Sequence, residues 1–305
     1  MAINATPTNG SATFDTVANV NDVYGIIEKV GKQTFGEMRA SNRLGRFDKG
    51  FLEYGTTVEE TLVAAAESRA YVPNASSATT PINPTTVTRY FNDWVERDYK
   101  VSVKNRDVRA VLNGGMTVGD LAAATLASLD NGERRDDYND MLAVIKKFGD
   151  SIEDGGYARE SQRIPAEDVA DLTALLERIR FIASDMSFDN DTYAGVEGVQ
   201  TETDTGKLVI LMPHGLLNKL DVRVFAQMFN LAKADIVPEI IPINTTDGRV
   251  IVCDEDAFGT YTRDREFTMV QNGNARSRDY TLGVSKMFYY NPLYKAAVID
   301  ASAID

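Results

Sequence analysis

The chain reads as an α+β protein, and three features of the sequence predict this. A polar, proline-bearing excursion separates two strand-like runs, a helical apolar stripe is sustained from Val118 to Phe148, and apolar strand runs alternate with short helical ones after Lys207. No internal repeat is present.

The first strand run sets Thr57, Glu59, Thr61 and Val63 on one side and Val58, Glu60 and Leu62 on the other, a period of two that favours a pleated strand. Residues 73–86 carry three prolines and almost no apolar mass, so they read as a hairpin tip. A returning strand follows, with Val87, Arg89, Phe91, Asp93 and Val95 on one face and Tyr90 and Trp94 on the other. Tyr99, Val101 and Val103 then alternate with Lys100, Ser102 and Lys104, the pattern of a half-buried strand. An isolated strand pair is at best marginally stable in water. The excursion is therefore either an ordinary surface hairpin or an arm sheltered by a neighbouring subunit, and the second reading is taken here.

Gly114-Gly115 breaks the chain, and Thr117 with Asp120 makes a start resembling a capping box. Val118, Leu121, Ala122, Leu126 and Leu129 form one stripe, and Tyr138, Met141, Leu142, Ile145 and Phe148 another. The spacing predicts one long helix, with Gly132 as the place where it can bend. A second helix is expected from Pro165 at its first turn, with Glu167, Asp168 and Asp171 near its positive end and Val169, Leu172, Leu176, Ile179 and Ile182 buried. Ser187–Gly206 reads as a long exposed loop. Strands follow at Leu208–Met212, Ile236–Ile243 and Val250–Cys253, with helices around Leu216–Asn230, a turn at Asp247-Gly248, and further strands near Phe267–Val270 and Tyr280–Ile299.

With 45 acidic against 32 basic residues, the 305-residue chain carries a net charge of -13, opposite to what tight phosphate binding calls for. Such a charge suits a surface lying beside packed polyanion without adhering to it. No stretch has the apolar length to span a bilayer, and the opening residues have neither the basic nor the apolar region of a signal peptide. No membrane association is expected.

Catalytic and metal constellations lack their usual members. His214 is the one histidine and is read as a hydrogen-bonded turn residue after an apolar strand. Cys253, the one cysteine, ends an apolar run and is read as a small buried hydrophobe. Asp254, Glu255 and Asp256 stand where a strand gives way to a turn, so they are read as capping groups rather than cation ligands. Asp189, Asn190 and Asp191 fail as a calcium loop because Tyr193 occupies the fifth position. Gly206-Lys207 lacks the upstream glycine of a phosphate loop. No catalytic residue, cofactor or metal is expected.

The order of parts resembles the major capsid proteins of tailed bacteriophages with the HK97-type fold, and within them the coat proteins of the phi29-like, picovirus kind. The residues carrying the resemblance are Phe-Asp-Lys-Gly (47–50), Tyr-Gly-Thr-Thr-Val-Glu-Glu (54–60) and Val-Glu-Arg-Asp-Tyr-Lys-Val-Ser-Val (95–103). To these are added Leu-Asp-Val-Arg-Val-Phe-Ala-Gln-Met-Phe-Asn (220–230) and Arg-Val-Ile-Val-Cys-Asp-Glu-Asp-Ala-Phe (249–258). The resemblance implies an N-terminal arm (1–45), an extended E-loop hairpin (46–104), a peripheral domain with a spine helix (105–184), an axial domain (185–270) and return strands of the peripheral domain (271–305).

It further implies self-assembly into hexamers and pentamers of an icosahedral or prolate head shell. Such a shell, made in the host cytoplasm and carried in the virion, encloses packaged double-stranded DNA without sequence-specific binding. A portal protein is implied, and the length leaves no room for a cleaved scaffold segment, so a separate scaffolding protein is expected. Inter-subunit contact is expected at Phe14, Val17 and Tyr24 of the arm and at Tyr54, Val58, Leu62, Tyr71, Tyr90, Phe91 and Trp94 of the hairpin; packing within the subunit is the open alternative for each aromatic. Two other functions stay open at this point. One is an encapsulin-like compartment, and the other is a carboxylate-dependent enzyme gathering Asp254, Asp256 and Arg223.

Overall fold

The computed structural model describes residues 5–8, 11–14, 20–37, 42–64, 66, 68, 85–112, 118–150, 154–169, 171–198, 200–219, 238–274 and 276–304. In chain order its elements are β1 (Ala5–Thr8), β2 (Ser11–Phe14), α1 (Val20–Glu37), β3 (Asp48–Phe51), β4 (Val58–Val63), β5 (Thr86–Phe91), β6 (Trp94–Lys104), α2 (Asn105–Leu112) and α3 (Val118–Gly149). They continue with β7 (Arg163–Ile164), α4 (Leu172–Met186), β8 (Leu208–Pro213), α5 (His214–Lys219), β9 (Glu239–Ile243), β10 (Arg249–Asp254), β11 (Phe258–Asn272), β12 (Ser277–Tyr290) and β13 (Ala296–Asp300).

Two larger sheets make the body. One has the order β7-β13-β10-β8-β9 and the other β3-β11-β12-β6, while β1-β2 and β4-β5 are separate two-stranded ribbons. Every residue of β8 is buried because both faces of its sheet are covered. Leu208, Ile210 and Met212 pack with Leu175, Leu176, Ile179 and Ile182 of α4, whereas Val209 and Leu211 pack with Met141, Leu142, Ile145 and Phe148 of α3. β10 divides the same way, Val250 and Val252 towards α4 and Ile251 and Cys253 towards α3.

α3 runs unbroken for 32 residues and braces both sheets. Its N-terminal half sets Ala122, Leu126 and Leu129 against Tyr280, Leu282, Val284 and Val103 of the four-stranded sheet. Its C-terminal half lies on the five-stranded one. Gly132 serves this crossing: a Cβ there would stand 3.1 Å from Cδ1 of Tyr99, so glycine lets helix and strand approach closely. Thr117 lies outside the described residues.

Next to that crossing the helix buries charge. Glu133 is 1% exposed and accepts from Arg265 Nη2 at 2.6 Å, while Lys286 Nζ stands 2.8 Å from its other oxygen and also pairs with Asp137. Paired in this way, two cations from the sheet and two acids from the helix fix one sliding position of α3, because any other register leaves a buried charge uncompensated.

Several sequence expectations are corrected by the packing. Within the expected N-terminal arm (1–45), α1 is a helix whose Val23, Tyr24 and Ile27 enter the same core as Phe267 and Tyr280. The helix expected from Pro165 begins at Leu172, where Asp171 caps it by accepting from the Ala174 N–H at 2.7 Å. Pro165 is extended and leads only into a 3₁₀ turn at Ala166–Asp168, with Val169 buried beyond it. The stretch 187–206 is not simply an exposed loop, for Tyr193, Ala194 and Thr203 are buried and a bridge joins Ala194 to Lys295.

The expected boundary at 270 falls inside β11, which pairs along its length with β12. β13, placed by sequence with the return strands, pairs antiparallel with β10 and so completes the five-stranded sheet. The segment 220–230 lies outside the described residues.

Burial pushes the Asp137 carboxyl up to about 6, against the lowering pull of Lys286. The folded subunit therefore binds a proton between about pH 4 and 6 that the unfolded chain does not. The stability of the wild-type subunit relative to Asp137→Asn is predicted to rise as pH falls through that window, by at most about 3 kcal/mol, and to be flat above about pH 7. Urea unfolding of unassembled subunits across this range checks it.

Candidate assembly interface

Among the described residues, the β4–β5 hairpin joins neither of the two larger sheets. β4 and β5 pair antiparallel from Val58 opposite Phe91 to Val63 opposite Thr86, and neither pairs with another strand. Alternation of β-branched residues makes the ribbon, and Thr61 and Thr88 hydrogen-bond across it at 2.9 Å.

Its root is built from the subunit itself. Val58 is buried with Met287 and Tyr289, and Phe91 lies against Tyr289 with ring centroids 4.4 Å apart. Glu60 accepts hydrogen bonds from the Tyr289 hydroxyl and from Asn291 Nδ2, and burial raises its carboxyl above the usual range. The Arg263 guanidinium lies between two rings, 4.3 Å from the centroid of Tyr54 and 4.6 Å from that of Trp94, and donates to Glu96 and Ser285.

Tyr54 ahead of β4, Tyr90 beside the root and Val63 at the far end of β4 stay open to solvent. Tyr54 is 77% exposed, Tyr90 66% and Val63 56%, and Leu62 is half-buried opposite Val87.

The ten residues expected at the contact divide accordingly. Tyr54, Leu62 and Tyr90 remain available. Val58 is buried in the root, which corrects the expectation for it, while Phe91 and Trp94 are half-buried against the same cluster. Tyr24 is likewise withdrawn: it is 2% exposed and donates its hydroxyl to Val103 O and Asn105 Oδ1. Val17 and Tyr71 lie outside the described residues, and Phe14 is described by backbone alone, at the end of β2. Sequence reasoning missed Arg263, which sits in a charged strand with nothing local to show that two rings flank it.

The polar groups considered for chemistry are occupied structurally. Asp254 accepts from the Asp256 N–H at 2.8 Å, Asp256 pairs with Lys207 at 2.8 Å and with Lys49, and Glu255 pairs with Arg46 at 2.9 Å. Cys253 is fully buried and its thiol is pushed up by that burial. His214 is the exposed first residue of α5.

A body cross-braced by α3 thus carries a two-stranded ribbon, β4–β5, that is joined to no other described strand. The fold is that of phage capsids: the capsid structure of Staphylococcus phage Andhra matches with a TM-score of 0.67 at 14% identity, over 87% of this chain and 85% of that one. The model of the family Phi29-like phage major capsid protein matches residues 3–299, and the chain belongs to that family. The major capsid protein of Bacillus phage GA-1 is 24% identical over 96% of this chain, and that of Bacillus phage B103 19% identical over 81%. The chain spans 67% and 56% of the length of these two relatives. It is a structural component of the virion rather than an enzyme.

Removing the guanidinium should loosen the hairpin root. Arg263→Ala is predicted to speed amide hydrogen exchange over residues 54–63 about tenfold in the free subunit. Unchanged exchange would show that Val58 and Phe91 suffice.

Proposed function

We propose that the chain is the repeating unit of a tailed-phage head of HK97-type design, assembling as hexamers and pentamers into an icosahedral or prolate shell around double-stranded DNA. The observation that carries this reading is the ribbon with an intramolecular root and with Tyr90 and Val63 exposed along it, whose shelter is a neighbouring copy. In this reading the five-stranded sheet is the centre of the axial domain, and the four-stranded sheet with α3 that of the peripheral domain. The net charge of -13 suits a wall that holds DNA without sequence-specific contact. A separate scaffolding protein sets the curvature, a portal protein occupies one vertex, and assembly proceeds in the host cytoplasm.

Deleting residues 73–84 leaves the described pairing of β4 with β5 intact, so the subunit should fold. With Tyr90→Ala added, the variant is predicted to remain unassembled where wild type forms shells, as seen by negative-stain microscopy with and without co-expressed scaffold. Normal shells from the variant would remove the ribbon from the assembly mechanism. Genome-length DNA inside wild-type particles distinguishes a head from a compartment, which would hold protein.

A further inference from the structure

A groove of about 600 Å³ opens beside the C-terminal end of β9, lined by Asn42, Arg43, Arg134, Arg135, Tyr138, His214, Ile243 and Asn244. Three arginines and the one histidine meet there with no acidic residue among the described lining residues, in a chain whose acids outnumber its bases by 45 to 32. Arg134 is held by Asp130 at 2.8 Å, whereas the Arg135 side chain is 75% exposed and only 3.5 Å from Asp136 at its nearest. The wall is firm, because Tyr138 of α3 accepts from the Asn244 N–H at 2.8 Å and so ties the helix to the end of β9.

A complementary feature stands elsewhere on the same subunit. Phe188, just after α4, is 63% exposed, the most of any phenylalanine among the described residues, and exposed Asp189 follows it. The knob is pre-formed: fully buried Lys295 donates from Nζ to the carbonyls of Met186 and Phe188, at 3.2 and 2.6 Å. The next carboxylate, Asp191, accepts from the Gly198 N–H at 3.1 Å and holds the following turn.

Knob and groove cannot meet within one copy. Lys295 precedes β13, whose Ala296 is level with Cys253, Val209 and Glu239 across the sheet, while the groove lies at Ile243 at the other end of β9. Three strand spacings of about 4.8 Å and four residues of about 3.3 Å separate these corners by roughly 20 Å. They also lie towards opposite faces, since Phe188 follows α4 and the groove is walled by α3.

We infer that Phe188 and Asp189 of one copy seat in the Arg43–Arg135–His214 groove of the next, a head-to-tail contact that repeats around a ring. The phenyl group reaches Tyr138 and Ile243, and the carboxylate meets the arginines. A self-complementary patch would close as a two-fold dimer, whereas two different patches at diagonal corners make a head-to-tail contact, which gives a ring when its rotation closes. This rests on the shell reading and names a second contact for it, independent of the hairpin.

Charge reversal and cross-linking of the full-length chain test it together. Asp189→Arg or Arg135→Glu alone should raise the concentration needed for assembly about tenfold, and the double variant should recover most of the loss. Asp189→Cys and Arg135→Cys subunits, mixed and treated with a short bis-maleimide, should give a cross-linked heterodimer; the native thiol of Cys253 is buried and does not compete. Absence of that heterodimer in assembled particles, with both reversals assembling as wild type does, overturns the contact and leaves the shell reading standing. A heterodimer from a protein that never closes shells upholds the contact and sinks the shell.

Discussion

A two-stranded ribbon has two faces and no interior, so its apolar side chains find cover only where something else lies against it. In this subunit that cover ends at the root. Tyr289, Met287 and Asn291 hold Val58, Phe91 and Glu60, and the sandwich of Tyr54, Arg263 and Trp94 fixes the direction in which the ribbon leaves. The outer half is directed but uncovered. In the reading proposed above, a neighbouring copy in the shell supplies that cover.

An arm transmits a contact only if its base is rigid, and the body is organised to that end. α3 packs on both sheets, and the strands supporting the ribbon, β11 and β12, also carry Arg265 and Lys286 against Glu133 and Asp137. Many weak contacts, each repeated around a closed surface, can then sum to a durable particle although association and ordering costs cancel most of each one. The acids that might have suggested chemistry, Asp254 to Asp256, instead tie the turn after β10 to Lys49, Lys207 and Arg46.

What could be read from the chain depended on how local the signal was. The spine helix was legible because both its stripes, Ala122 to Leu129 and Met141 to Phe148, repeat at helical spacing. The paired strands of the hairpin were legible from alternation, and the stretch 73–84 read as its tip lies outside the described residues. α1 was missed as a helix although Val23, Tyr24, Ile27 and Val30 carry the spacing, and Gly31 lies where a Cβ would meet the Phe267 ring at 2.4 Å. The start of α4 was misplaced because Pro165 resembles a first-turn proline, while Asp171 does the capping. Pairing of β13 with β10 and the flanking of Arg263 by two rings are non-local and leave no trace in sequence order. Of the expected contact residues, Tyr54 and Tyr90 are exposed and Leu62 is half-buried, whereas Tyr24 and Val58 showed how readily an aromatic or β-branched residue serves its own core.

Hydrogen exchange measured on the same protein before and after assembly tests the central claim most directly. Amides of residues 61–63 and 86–90 should exchange at least about a hundredfold more slowly in closed particles than in free subunits, while buried α3 amides near Ile145 change little. Equal rates in the two states would mean that no neighbour covers the ribbon, and the account of the fold as half of an interface would fail.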